Sequence, residues 1–225
     1  METFAVALEI GPKRKVFAQA LDWIGWCRAG KDEATALNHL FTSGWRYAQV
    51  ASQAGLPFVA PSSPDAFEVV ERTAGTATTD FGAPGALFTA DQEPLTEANI
   101  ERLVSLLIAC WATFDSAFQH IAADLRDVKP EKGRSASEIR LHLLEADRMH
   151  LSAFGPAFQH PDPARVAEQE AAVREQIITG LRMAPSKGSS IPRRRYGFSW
   201  TPRFAIRRSA WHALDHAWEL QDRKK

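Results

Sequence analysis

Apolar residues in the second half of the chain return every three or four positions. Leu103, Leu107, Cys110, Phe114, Ala117 and Ile121 make one such stripe, the pattern of a long helix that buries one side. Ser135 followed by Glu138 is a capping box opening a second helix, which Gly155-Pro156 closes. Asp162-Pro163 opens a third, with Val166, Val173, Ile177 and Leu181 on one side and Pro185 at its end, and Thr201-Pro202 opens a fourth. None of these stripes can be hidden by its own helix, so a four-helix bundle over residues 94–225 is expected.

The first half has a different texture. Residues 3–10 and 16–21 are strand-like runs separated by Gly11-Pro12-Lys13-Arg14-Lys15, a hairpin break. A helical stretch follows from about Asp32 to Ala54, with Ala36, Leu40, Trp45 and Val50 at roughly helical spacing, and Gly55 stops it. Phe67 to Val70 returns as a strand. The order reads as a small βββαβ domain over residues 1–75. Residues 76–93 are rich in glycine and proline and read as a linker. The fold class is α+β, with the sheet first and the helices after it.

Composition narrows the functions. The 225 residues hold 27 lysine plus arginine and 27 aspartate plus glutamate, so no overall charge draws the chain to nucleic acid or to an acidic membrane. With 45% apolar residues it can bury a core and lacks the composition of a disordered chain. The apolar stretch from Leu103 to Phe114 is shorter than the ~20 residues that cross a bilayer, and Glu2 and Glu9 stand where a secretion signal carries positive charge. A cytoplasmic location is expected. Cys27 and Cys110 lack the spacing of a disulfide framework or a thiolate site and read as buried hydrophobes.

Chemistry concentrates on three of the seven histidines. His212 and His216, at i and i+4, share one face of the last helix and can both reach one metal. His142 on the second helix shares a face with Ile139, Ala146 and Met149, so it is expected to point into the bundle as a third ligand. Three neutral imidazoles with one position open suit zinc or nickel, with manganese and iron as further candidates. A divalent ion so held lowers the pKa of bound water toward ~7 or activates a thiolate. His150 lies ~12 Å along the helix from His142 and is a poor substitute. His39, His120 and His160 read as surface or loop residues.

Asp215 and Glu219 flank the pair on the last helix as candidate proton acceptors or as carboxylates that orient an imidazole. Between Lys187 and Arg208 the chain carries Lys187, Arg193, Arg194, Arg195, Arg203, Arg207 and Arg208 with no acid. This run feeds the metal-bearing helix, and Arg203, Arg207 and Arg208 are candidates for guiding an anionic substrate or a thiol cofactor carrying carboxylates.

The segment Glu138-Ile139-Arg140-Leu141-His142-Leu143-Leu144-Glu145, together with Trp211-His212-Ala213-Leu214-Asp215-His216-Ala217-Trp218-Glu219, resembles the DinB-like superfamily of four-helix-bundle metalloproteins over about residues 94–225. The resemblance implies that His142, His212 and His216 are the metal triad. It also implies a low-molecular-weight thiol as one class of co-substrate, since characterised members include thiol-dependent S-transferases and isomerases. The stretches Phe4 to Ile10 and Leu21 to Leu37 are similar to the HicB-like antitoxin fold, with Ile24 where that family usually has proline before the glycine. Here the Trp23 and Trp26 pair is expected to pack the hairpin rather than to stack bases.

Two functions follow as expectations. One is a metal-dependent enzyme, an S-transferase or hydrolase, acting on a small molecule. The alternative is a non-catalytic regulatory module whose HicB-like domain contacts a protein or nucleic acid while the bundle forms a homodimer, an arrangement that exposed tryptophans would favour.

Overall fold

The computed structural model describes residues 3–123, 133–155, 159–184, 194–195 and 198–223. The chain is mixed α+β and divides into two compact units, Met1–Glu93 and Pro94–Lys225.

In the first unit, strands β1 (Phe4–Ile10), β2 (Val16–Ala20), β3 (Cys27–Gly30) and β4 (Phe67–Ala74) form one sheet in the order β3-β2-β1-β4. The hairpin pairs β1 with β2 antiparallel, Val6 opposite Ala20, and β4 returns parallel to β1 with Phe4 opposite Phe67. Parallel return needs a crossover, which helices α1 (Glu33–Thr42) and α2 (Gly44–Gln53) supply. The single helix expected over 32–54 is thus two helices that meet at Ser43. The Ser43 hydroxyl donates to Leu40 O at 2.8 Å and accepts the Trp26 indole N–H at 3.0 Å, and that N–H also reaches Leu40 O. A Cβ on Gly44 would stand 3.1 Å from Pro61, so the turn there admits no larger side chain without a shift.

Trp26 is fully buried, stacks on Tyr47 with ring centroids 5.5 Å apart, and meets Phe4, Phe58 and Phe67 edge-on. Trp23 is buried against Tyr47 and Phe58. Both rings therefore serve the core, as the hairpin-packing expectation had it.

Residues 76–93, read from the sequence as a linker, belong to the first unit. Glu9 in β1 is completely buried and gathers them: its carboxylate accepts from Thr79 Oγ1 at 2.5 Å, Gly85 N at 2.8 Å and Ala86 N at 3.0 Å. A carboxylate out of water has to be met by donors, and the segment containing α3 (Ala77–Phe81) provides them. Phe88 adds a fully buried ring.

The second unit is built from α4 (Glu97–Ala123), α5 (Ala136–Leu151), α6 (Val166–Met183) and α7 (Pro202–Asp222), with a short pairing of β5 (Arg194–Arg195) and β6 (Phe198–Ser199). The four helices pack on one another, α4 chiefly against α7 and α5 against α6 and α7. All six residues of the Leu103 to Ile121 stripe are buried, as are Val173, Ile177 and Leu181 of α6. The capping box is present: Glu138 N donates to Ser135 Oγ and Ser135 N to Glu138 Oε2. Thr201 Oγ1 accepts from Phe204 N ahead of Pro202 at the start of α7. Asp162 caps a short 3₁₀ turn, Pro163–Arg165, and α6 starts after it. Pro156 and Pro185, the expected helix stops, lie outside the described residues.

Cys27 and Cys110 are both buried free thiols, and burial pushes the Cys110 thiol far up. Six of the seven tryptophans are buried and Trp45 is 62% exposed. Among the described residues no helix is long and apolar enough to cross a membrane.

Candidate metal centre

Helix α5 presents His142, and α7 presents His212 and His216 one turn apart. The three imidazoles converge. Ring centroids are 4.8 Å apart for His142 and His212, 5.6 Å for His142 and His216, and 4.9 Å for His212 and His216. One ring nitrogen from each lies within 4.8 Å of the others. Ligands ~2.1 Å from one tetrahedral ion stand about 3.4 Å apart, so small side-chain rotations close the set around a single cation.

The electrostatics keep His142 and His212 in the ligating form. Burial pushes the His142 imidazole down to about 4, with the positive charges of Arg134 and His216 adding to the effect. Burial also holds His212 well below the ordinary imidazole value, reinforced by its two partners in the cluster. Neutral imidazole offers a lone pair and protonated imidazole does not. His216 is oriented from behind: its Nδ1 is 2.7 Å from Glu219 Oε2. That hydrogen bond holds the Glu219 carboxyl below the usual carboxylate range, helped by Arg223, which donates to the other oxygen. An ionised carboxylate only accepts, so the ring proton sits on Nδ1 and Nε2 is left for a cation.

Of the expected acids, Glu219 is thus committed to His216 and Arg223, an orienting position, and Asp215 is half-buried on α7. The arginines divide. Arg208 lies 4.9 Å from the Trp211 ring centroid, and Trp211 stacks on His212 at an interplanar angle of 11°, so its guanidinium is layered onto the cluster. Arg203 donates to Pro94 O at 3.1 Å. Arg207 is 4% exposed, with its guanidinium over the Phe204 ring, and burial on that scale removes it from the surface an incoming anion would meet. Lys187 and Arg193 lie outside the described residues, and for Arg194 and Arg195 only the β5 backbone is described.

A second polar group in this unit was not foreseen. Asp147, 6% exposed, accepts from Ser209 Oγ at 2.5 Å and from Trp111 Nε1 at 3.1 Å, while His150 Nδ1 lies 3.4 Å from its Oδ1. Asp147 falls at i+4 from Leu143 on the buried stripe of α5, and Ser209 lies between Ala205 and Ala213 on that of α7. Two polar residues intruding on apolar stripes were the signal available. His150 is a buried member of this network and no ligand of the cluster. His39 and His120 bond to backbone carbonyls, Ala29 O and Ser116 O, and His160 is exposed.

Models of protein families, curated proteins and solved structures yield no match to this chain.

Proposed function

We propose that the second unit is a divalent-metal centre and that the protein is a metal-dependent enzyme of the DinB-like type, acting on a small molecule by thiol transfer or hydrolysis. The convergence of His142, His212 and His216 from two helices carries the proposal. Three neutral nitrogen donors fit zinc or nickel, and such an ion, once bound with a position open, supplies a Lewis acid that makes water or a thiol nucleophilic near neutral pH. The chain's own residues do the rest. Glu219 fixes the tautomer and direction of His216. Arg134 and Arg208 add positive charge beside His142 and His212, which favours an anionic substrate such as a carboxylate-bearing thiol. The sheet unit, with its HicB-like resemblance, is proposed as a scaffold rather than a nucleic-acid module, since its tryptophan pair is buried.

Elemental analysis of untagged protein beside a His212→Ala, His216→Ala double variant tests the reading. Stoichiometric divalent metal in the wild type and none in the variant is expected. Equal metal content in both, or none in either after incubation with zinc and nickel, overturns it.

A further inference from the structure

The tip of the β1–β2 hairpin and the β3–α1 turn border an open groove of about 750 Å³ in the first unit, lined by Lys13, Arg14, Lys15, Ala29, Gly30, Lys31 and Asp32. Among the described residues, none of the four basic side chains is held in an ion pair or hydrogen bond. The acids around them bond to groups other than these four side chains. Asp32 caps α1 by accepting from Thr35 N at 2.8 Å, Glu33 is paired with Arg72, and both Asp80 oxygens accept from Lys13 N.

The hairpin is held firmly for a surface turn. Gly11 N donates to Lys15 O and Arg14 N to Gly11 O, and a Cβ on Gly11 would stand 2.5 Å from Asp80 Oδ1. Asp80 therefore reaches the turn only because residue 11 is glycine. Within this frame Arg14 takes φ 77°, and it is the sole non-glycine residue with positive φ among the described residues. Glycine or asparagine adopts that conformation at lower cost, so the turn presents the Arg14 side chain at the expense of backbone strain.

We propose that this groove binds a compact polyphosphate group, the pyrophosphate or triphosphate end of a ligand, through Lys13, Arg14, Lys15 and Lys31. The four cations, less the charges of Asp32 and Asp80, leave the groove positive by about two, and a group that concentrates two or more negative charges in a small volume suits it, each phosphate carrying about 1.5 to 2 near neutral pH. The lining has no aromatic ring on which a base could stack.

Titration calorimetry of the full chain, dialysed free of metal, with pyrophosphate and tripolyphosphate tests this. Saturable binding that weakens from 50 to about 300 mM salt is expected, with tripolyphosphate the tighter ligand. An Arg14→Gly, Lys31→Ala double variant should bind at least tenfold more weakly. Its melting temperature should not fall, because glycine relaxes the turn instead of breaking it. A single Lys15→Glu variant gives a second reading of the same loss. Absence of saturation, binding undiminished in both variants, or tighter binding of a single-stranded oligonucleotide than of tripolyphosphate each overturns the proposal.

Discussion

The Ser209 hydroxyl donates to Asp147 Oδ1 at 2.5 Å across the α5–α7 contact, and this buried bond sets the register in which His142 meets His212 and His216. The two links run in opposite chain directions, so α5 and α7 are antiparallel, and sliding one helix along the other would break both. Trp111 ties α4 to the same carboxylate. Replacing Asp147 with alanine strands the Trp111 N–H and the Ser209 hydroxyl in the core and is expected to cost about 2–4 kcal/mol, measured by urea unfolding. Asparagine keeps an acceptor oxygen and should cost less than half as much.

Glu219 acts through His216. With glutamine at position 219 the acceptor loses its charge, and the imidazole loses the partner that fixes its tautomer. Metal affinity is expected to fall about 10- to 100-fold in competition with a chromophoric chelator, with little change in apo-protein stability. An unchanged affinity would remove Glu219 from the centre.

Metal should stabilise the folded chain by mass action. At free zinc 100 times its dissociation constant the gain is about 2.7 kcal/mol, read as a rise in melting temperature that grows with zinc concentration. The His212→Ala, His216→Ala variant should melt at one temperature regardless of zinc.

Acid sensitivity follows from the buried imidazoles. Burial lowers His142 to about 4 and holds His150 and His212 below the usual 6.5, the Asp147 contacts opposing the shift at His150. The unfolded chain takes up protons at these positions near pH 6.5 and the folded chain does not. Stability is therefore complete above that pH and is lost as pH falls below it, by at most about 1.4 kcal/mol per pH unit for each imidazole that stays neutral in the folded chain. Glu170, held above the usual carboxylate range by burial, works in the opposite direction at the acid end. Thermal melts of metal-free protein should be flat above pH 7.5 and fall steeply from pH 6.5 to 5. A His150→Gln variant should show a shallower slope.

In the first unit the buried carboxylate of Glu9 holds three donors of the 76–93 segment. Glu9→Ala should release that segment while β1 stays paired. Limited proteolysis is expected to cut first between residues 76 and 93 in the variant and to leave the same bonds protected in the wild type.

Much of the architecture was legible from local patterns. The Leu103 to Ile121 stripe, the Ser135 capping box, the Thr201-Pro202 start and the hairpin break each depend on residues close in sequence, and each appears where the pattern puts it. The i, i+4 spacing of His212 and His216 likewise guarantees a shared helix face. What escaped were features made by distant partners. Ser43 splits a continuous helical pattern because Trp26, 17 residues earlier, needs its hydroxyl. Segment 76–93 looked like a linker because the acid that anchors it is about 70 residues away. Asp147 looked like one more polar helix residue until Ser209 and Trp111 were found against it.

From its residue order alone the chain determined the succession of a strand-rich first half and four amphipathic helices, the chain-neutral charge, and one pair of histidines on a common face, since all of these follow from the periodicity of neighbouring side chains. Only the folded chain decided that His142 completes that pair, that Glu219 orients it, that Arg207 is buried away from it, and that a row of lysines and Arg14 border an open groove. Those relations arise where helices and turns far apart in sequence are packed together, and packing distances are not written in local spacing.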